Sequence, residues 1–361
     1  MDANFLTEKT IDTDKLIQHL KNSINSINKN EASILYQIIS DFEKNDFSLL
    51  SPHEIQYLSS NYSQAAAYLV FRHKFKNFPK LHIDSVIPNH LIIEPVSACN
   101  LRCIMCYQID ESFTNDQKFM GNMSLELFKK IIDDAHEIGV KAITLTGRGE
   151  PTLHPQLGEM LEHCSGKFYE LKMNTNATLL NEKLIHKILK SGITDIVFSV
   201  DSHEKKQYES IRVLGIFERV VENVKLFKKI KESYPNSKCS TRISGILVND
   251  EQNADEIKKF WEPYVDNVVL YNAQQRWDTY NNPTDIAGKN PCDYLWGEMN
   301  VWYDGTCNPC DVDYKSLLSV GSMVNNNILE IWNGEKYSNL RNLHKNGKRN
   351  TCYPCDRCSN W

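Results

Sequence analysis

Cys99, Cys103 and Cys106 stand at offsets of four and three in the stretch Cys99-Asn100-Leu101-Arg102-Cys103-Ile104-Met105-Cys106, directly after the apolar run Leu91 to Val96. Three thiolates on one loop can converge on a single inorganic core, because soft sulfur ligands suit iron–sulfur clusters. A four-iron cube held by three protein sulfurs keeps one iron open, and chemistry can happen there. The competing reading is structural zinc or merely buried thiols. Zinc knuckles pair cysteines as C-x2-4-C with a second pair elsewhere, so an odd trio fits that arrangement poorly.

The remaining cysteines point the same way. Of eleven, three lie in this loop, six follow residue 290, and Cys164 and Cys239 stand alone as expected core thiols. Met1 to Leu16 has no basic segment leading into an apolar one, and no apolar run is long enough to cross a bilayer, so the expected location is cytoplasmic. In that reducing compartment cysteine clusters imply metal rather than disulfides. A net charge of −5 with interspersed signs gives no electrostatic reason to expect nucleic acid or a membrane as partner.

Residues 1–87 read as a helical region, with apolar residues at helical spacing in Ile34, Ile38, Ile39 and Phe42 and a helix start at Ser51-Pro52. From Leu91 strands and helices alternate, which implies parallel strands joined by crossover helices. Six strands are expected, at Leu91–Val96, Ala142–Thr146, Glu170–Asn174, Asp195–Val200, Ser240–Leu247 and Asn267–Tyr271. Ser124 should cap an amphipathic helix reaching Ile138. Ligands of such folds sit beyond the carboxyl ends of the strands, and the unusual residues do cluster there.

The cysteine loop after a strand resembles that of the radical S-adenosylmethionine (SAM) superfamily, although Met105 stands where an aromatic residue is usual. That resemblance implies an α/β fold, a partial (β/α)6 TIM-like barrel over residues 88–280. It also implies a four-iron cluster on Cys99, Cys103 and Cys106, SAM chelated to the open iron, and an electron donor such as flavodoxin or ferredoxin. Thr146-Gly147-Arg148-Gly149-Glu150-Pro151 looks like the family's GGEP motif, in which Gly147 and Gly149 admit the ligand and Glu150 grips the SAM ammonium. Asn174-Thr175-Asn176-Ala177 is similar to the family's TNG turn near the SAM ribose, with Ala177 in place of glycine. Ser199-Val200-Asp201 resembles the S-x-D strand end, and Arg212, in the helical stretch that follows, would face the SAM carboxylate. Asn176, Ser199 and Asp201 could equally be helix caps.

The tail over 281–361 holds Cys292, Cys307, Cys310, Cys352, Cys355 and Cys358, a hairpin around Asp304-Gly305, and a helix expected at Ile328–Leu343. Its order resembles the SPASM and twitch extensions of the same family. Six cysteines are too few for two clusters, and the simplest fit is one auxiliary four-iron cluster on Cys292, Cys310, Cys355 and Cys358. A zinc ribbon from Cys307-x-x-Cys310 and Cys355-x-x-Cys358 is the alternative by spacing.

The implied activity is hydrogen abstraction from a substrate C–H, followed by oxidation or epimerisation of a small carbohydrate or aminosugar-like molecule. Asp311 matches the proton-accepting aspartate of the sulfatase-maturase branch, and Arg276 an arginine of the aminocyclitol dehydrogenase branch. A spare thiol, Cys307 or Cys352, could donate a hydrogen atom in an epimerase. Peptide maturation and a non-catalytic iron–sulfur or zinc scaffold are the other readings. The helical character of the first 85 residues favours the small molecule, and Gly149-Glu150-Pro151 argues against a scaffold.

Overall fold

The computed structural model describes residues 11–273, 279–281 and 290–358. The chain divides into two compact units, Met1–Asp84 and Ser85–Trp361.

Regular structure in the first unit is helical among its described residues, at Thr13–Ser23, Lys29–Glu43, Pro52–Ser60 and Ala65–Asn77, joined by short 3-10 turns. The expected apolar stripe is real: Leu35, Ile38, Ile39 and Phe42 are buried on one helix face. Ser51 precedes a helix that opens on Pro52, and its backbone N–H donates to Glu54 Oε2 at 2.8 Å. Glu54 is itself buried. Burial raises its pKa, but Arg72 Nε at 2.7 Å and Lys76 Nζ at 3.1 Å more than offset this and hold it at about 2.

The second unit is built on one nine-stranded sheet. Its strands are β1 (His90–Ile93), β2 (Ala142–Leu145), β3 (Glu170–Thr175), β4 (Asp195–Ser199), β5 (Ser240–Leu247), β6 (Asn267–Asn272), β7 (Glu298–Val301), β8 (Thr306–Asn308) and β9 (Gly321–Ser322). The spatial order is β9-β8-β7-β1-β2-β3-β4-β5-β6. β1 to β6 pair in parallel and form the partial (β/α)6 barrel. Crossover helices such as Leu125–Glu137 and Phe217–Lys231 cover the outside with faces like Phe128, Ile131, Ile132 and Ala135. Ser124 caps the first of these through its side chain, as expected.

The C-terminal hairpin extends this sheet. β7 lies parallel to β1 in the register His90↔Glu298 to Ile93↔Val301, and β8 and β9 follow antiparallel. β1 stops at Ile93 because Pro95 has no N–H to continue the ladder. The single helix expected at Ile328–Leu343 is instead two, Ile328–Trp332 and Glu335–Lys345. The break falls at Asn333-Gly334, where a Cβ on Gly334 would stand 2.7 Å from Glu330 O, so the backbone turns at the residue that lacks one.

Candidate active site

A cavity of about 640 Å³ opens beyond the barrel strands, within the usual size range of ligand sites. Cys99, Cys103 and Cys106 line it, as do Gly147, Gly149, Glu150, Asn176, Ser199, Arg212 and Asp311. These are the residues that the sequence singled out for the SAM site, together with the aspartate beside Cys310. Arg276 lies outside the described residues.

The cysteine loop is held by its neighbours. Arg102 Nη1 donates to Cys99 O at 2.8 Å and Leu101 O at 2.9 Å, and Asn176 Nδ2 donates to Asn100 Oδ1 at 2.9 Å. Arg212 is not in a helix. It caps Lys205–Ile211 and begins a short strand paired with the loop, Arg212 opposite Cys103. Its guanidinium grips Asp201 through Nε at 2.7 Å and Nη2 at 2.9 Å, and Nη1 lies 3.8 Å from Cys103 Sγ. Burial works against the Arg212 charge, and Asp201 more than offsets it, keeping the pKa raised. The fork is therefore spent on Asp201, and one N–H remains directed at the cluster loop.

Burial pushes the Cys99 thiol up to about 12, with the Glu150 carboxylate adding to the effect, and Cys103 is also raised by burial against the pull of Arg212. Thiols held this way ionise only when a cation takes the proton's place, which is how metal coordination couples to pKa. Among the described residues no three His, Cys, Asp or Glu side chains converge closely enough to share one metal ion. A four-iron cluster, whose ligand sulfurs sit on different irons, does not require three donors to converge on one ion.

Both glycines of the second motif are required by close approach. A Cβ on Gly147 would meet Glu94 Cβ at 2.6 Å, and one on Gly149 would meet Val96 O at 2.2 Å and Ala98 O at 2.4 Å. Glu150 sits inside the turn. Its carboxylate accepts from Thr152 N at 3.1 Å, Thr152 Oγ1 at 2.6 Å, Thr175 Oγ1 at 2.6 Å and Asn176 N at 2.7 Å. Burial raises its pKa despite these bonds, so an approaching ammonium would find an anion already oriented but short of positive charge. Ala177, where the family turn has glycine, adopts φ 63°, the left-handed conformation that explains that preference.

We expect Glu150→Gln to weaken SAM binding by about tenfold or more, since bonds to charged groups are worth roughly 1.5–3 kcal/mol. The new amide would also aim N–H groups at existing donors, so the denaturation midpoint should fall. Unchanged SAM affinity in a calorimetric titration, with the midpoint lowered, would reduce Glu150 to a turn residue.

Other residues hold this site together and were not anticipated. Arg148 forms a buried pair with Glu94, Nη2 to Oε1 at 2.6 Å and Nε to Oε2 at 2.9 Å, donates to Tyr314 O at 3.0 Å, and lies over the Trp302 ring. Tyr107 donates to Gly147 O at 3.0 Å and stacks on Tyr314. These contacts tie the glycine motif to the C-terminal segment. The signal was present as a lone Glu in an apolar run and a lone Arg between two glycines.

In the tail, burial raises Cys310 well above its ordinary value, with neighbouring Cys355 and Cys292 adding to it. Cys355 is raised likewise by burial, Cys292, Cys352 and Cys358. Burial pushes Cys292 up to about 12, with Cys358 nearby. Cys292 and Cys355 therefore lie near both Cys310 and Cys358, and Arg349 braces Cys355 and Cys358 by donating to their backbone carbonyls, each at 3.2 Å. Cys307 and Cys352 belong to the hydrophobic core, against which Cys355 also packs, and Cys352 lies near Cys355. Cys307, which the zinc ribbon would need, is 0% exposed among apolar side chains.

Residues 93–260 match the family model of the radical SAM superfamily, and residues 292–359 that of the SPASM iron-sulfur cluster-binding domain. The chain is 24% identical over 318 residues to the tungsten-containing aldehyde ferredoxin oxidoreductase cofactor-modifying protein of Pyrococcus furiosus, covering 74% of this chain and 86% of that one. It is 27% identical over 169 residues to a probable GTP 3',8-cyclase of Pyrococcus horikoshii, covering 47% of this chain and about half, 51%, of that one. Its fold is similar to that of Streptococcus suis SuiB bound to precursor peptide SuiA, with a TM-score of 0.59 and 17% identity over 92% of this chain and 87% of that one. No helix among the described residues is long and apolar enough to cross a membrane. With a barrel domain and a cysteine-rich tail each matched in place, this chain belongs to the radical SAM superfamily and carries a C-terminal SPASM iron–sulfur domain.

Proposed function

We propose that the protein oxidises a small polar, hydroxyl-bearing molecule of the carbohydrate or aminosugar type, with Asp311 as the proton acceptor. In this reading Cys99, Cys103 and Cys106 hold a cluster that binds SAM, and Cys292, Cys310, Cys355 and Cys358 hold an auxiliary cluster. When bound, these groups supply a 5'-deoxyadenosyl radical that takes a hydrogen atom and an acceptor for the second electron. Asp311 takes the hydroxyl proton as that electron leaves, so the alcohol becomes a carbonyl. Glu150 orients the SAM ammonium, and Asn176 and Arg212 brace the loop beneath it.

The observation that carries the reading is that one cavity is lined by the Cys99 loop and by Asp311, the neighbour of Cys310. Oxidation is favoured over epimerisation because an epimerase needs a hydrogen-atom donor at the cavity. Cys307 and Cys352 are 0% and 5% exposed, lie in the apolar core and do not line it. A small molecule is favoured over a peptide by the first unit, whose described regular structure is helical and contains no strand.

The test is anaerobic reconstitution with SAM and a reductant, followed by a screen of hexoses, polyols and aminocyclitols. The expected result is 5'-deoxyadenosine formation stimulated by one of these, with deuterium transferred from a labelled C–D bond and an oxidised product in equal amount. Stimulation by a peptide alone would move the protein to the peptide-modifying branch.

A further inference from the structure

The wall of the cavity away from the cysteines carries polar groups that have no partner. Asn300 on β7 is 0% exposed, lines the cavity, and neither its Oδ1 nor its Nδ2 makes a hydrogen bond. Lys172 on β3 also lines it and makes no hydrogen bond or ion pair among the described residues. Asn174, two residues on and on the same face of β3, also lines it and has an unpartnered Oδ1. Buried polar groups are nearly always paired, so several exceptions on one surface need an explanation.

Register places them together. Asn300 pairs with Ile92, Ile92 with Thr144, and Thr144 with Lys172, so the amide and the ammonium share one rung across four strands, with about 14 Å between their backbones along the wall. All four line the cavity. Burial, and then the Arg242 guanidinium, push the Lys172 ammonium below its ordinary value. Asp195, Glu170 and Glu298 act on it from a distance in the opposite sense, but none of them forms an ion pair with it among the described residues; Glu298 lies 3.7 Å from His90 Nδ1, and Asp195 accepts from Thr194 Oγ1 at 2.8 Å.

We propose that the substrate carries an acid group, carboxylate or phosphate, held on Lys172, and a hydroxyl or carbonyl that meets the Asn300 amide. This rests on the reading above and names the substrate class of the same cavity. SAM is the wrong ligand for Lys172, which precedes Asn176 by four residues along an extended strand, on the order of 13 Å deeper than the SAM motifs. The acid group would give Lys172 the direct partner it lacks, and Asn300 and Asn174 would read the polar groups that distinguish one sugar acid or sugar phosphate from another.

The test needs no knowledge of the substrate. Crystals of the reconstituted, SAM-loaded protein soaked in iodide should show an anomalous peak in contact with Lys172 Nζ. Iodide bound only elsewhere overturns the proposal. In calorimetric titrations with inorganic phosphate and with acetate, Lys172→Met should weaken binding by tenfold or more and leave SAM affinity unchanged. Tighter phosphate binding points to a phosphate ester and tighter acetate binding to a carboxylic acid, whereas equal affinities in wild type and Lys172→Met count against the site. Asn300→Leu should keep or raise the denaturation midpoint, because it removes an unpaired amide; a lower midpoint would make Asn300 structural and remove its role here. An absent anion alongside intact, substrate-stimulated 5'-deoxyadenosine release removes only the acid group, while absence of that release removes the underlying reading.

Discussion

Replacing Cys99, Cys103 and Cys106 together by Ala abolishes 5'-deoxyadenosine formation and halves the iron, from about eight atoms per chain to about four. The effect should be complete because these thiols would supply every protein ligand of the cluster that reduces SAM. The protein should stay folded, since the loop is braced by contacts that do not use sulfur: Arg102 to Cys99 O, Asn176 to Asn100, and the Arg212–Asp201 pair. The proposed tail ligands Cys292, Cys310, Cys355 and Cys358 are not touched by this change, so their iron should remain. Cys307→Ala is the control and should keep both clusters, because that thiol lies in the apolar core. Iron analysis and visible absorption of the anaerobically reconstituted variants decide the matter. Stoichiometric zinc without thiolate-to-iron absorption would remove the cluster assignments altogether.

Asp311→Asn should lower oxidised product by about 10²-fold or more while SAM cleavage continues, the usual worth of a general base. Asparagine keeps the size and the place beside Cys310 but cannot accept the proton that must leave as the second electron departs. Hydrogen abstraction precedes that step, so 5'-deoxyadenosine should still accumulate, uncoupled from product. The informative quantity is the ratio of the two, measured in one reaction. A ratio equal to that of the wild type would exclude Asp311 as the base and leave Arg276 as the next candidate.

Much of this could be read along the chain because it depends on local patterns. Strand and helix periodicity located all six barrel strands, and spacing alone grouped Cys99, Cys103 and Cys106, which line one cavity. Gly147, Gly149 and Glu150 are likewise local, since a backbone that must approach another closely leaves glycine as its trace.

What tertiary structure decided depends on partners far apart in sequence. The chain order does not say that β7 adds to the edge at β1, a pairing between residues 90–93 and 298–301 that brings Asn300 onto the same rung as Lys172. It does not say that Arg148 spans from Glu94 to Tyr314, or that Arg212 turns to Asp201. Nor does spacing say that Cys307 packs into the core while Cys310, three residues on, lies near Cys292 and Cys355. Local preference acts within a few residues, whereas the cost of burying a charge or an amide is met by whatever group the fold brings beside it.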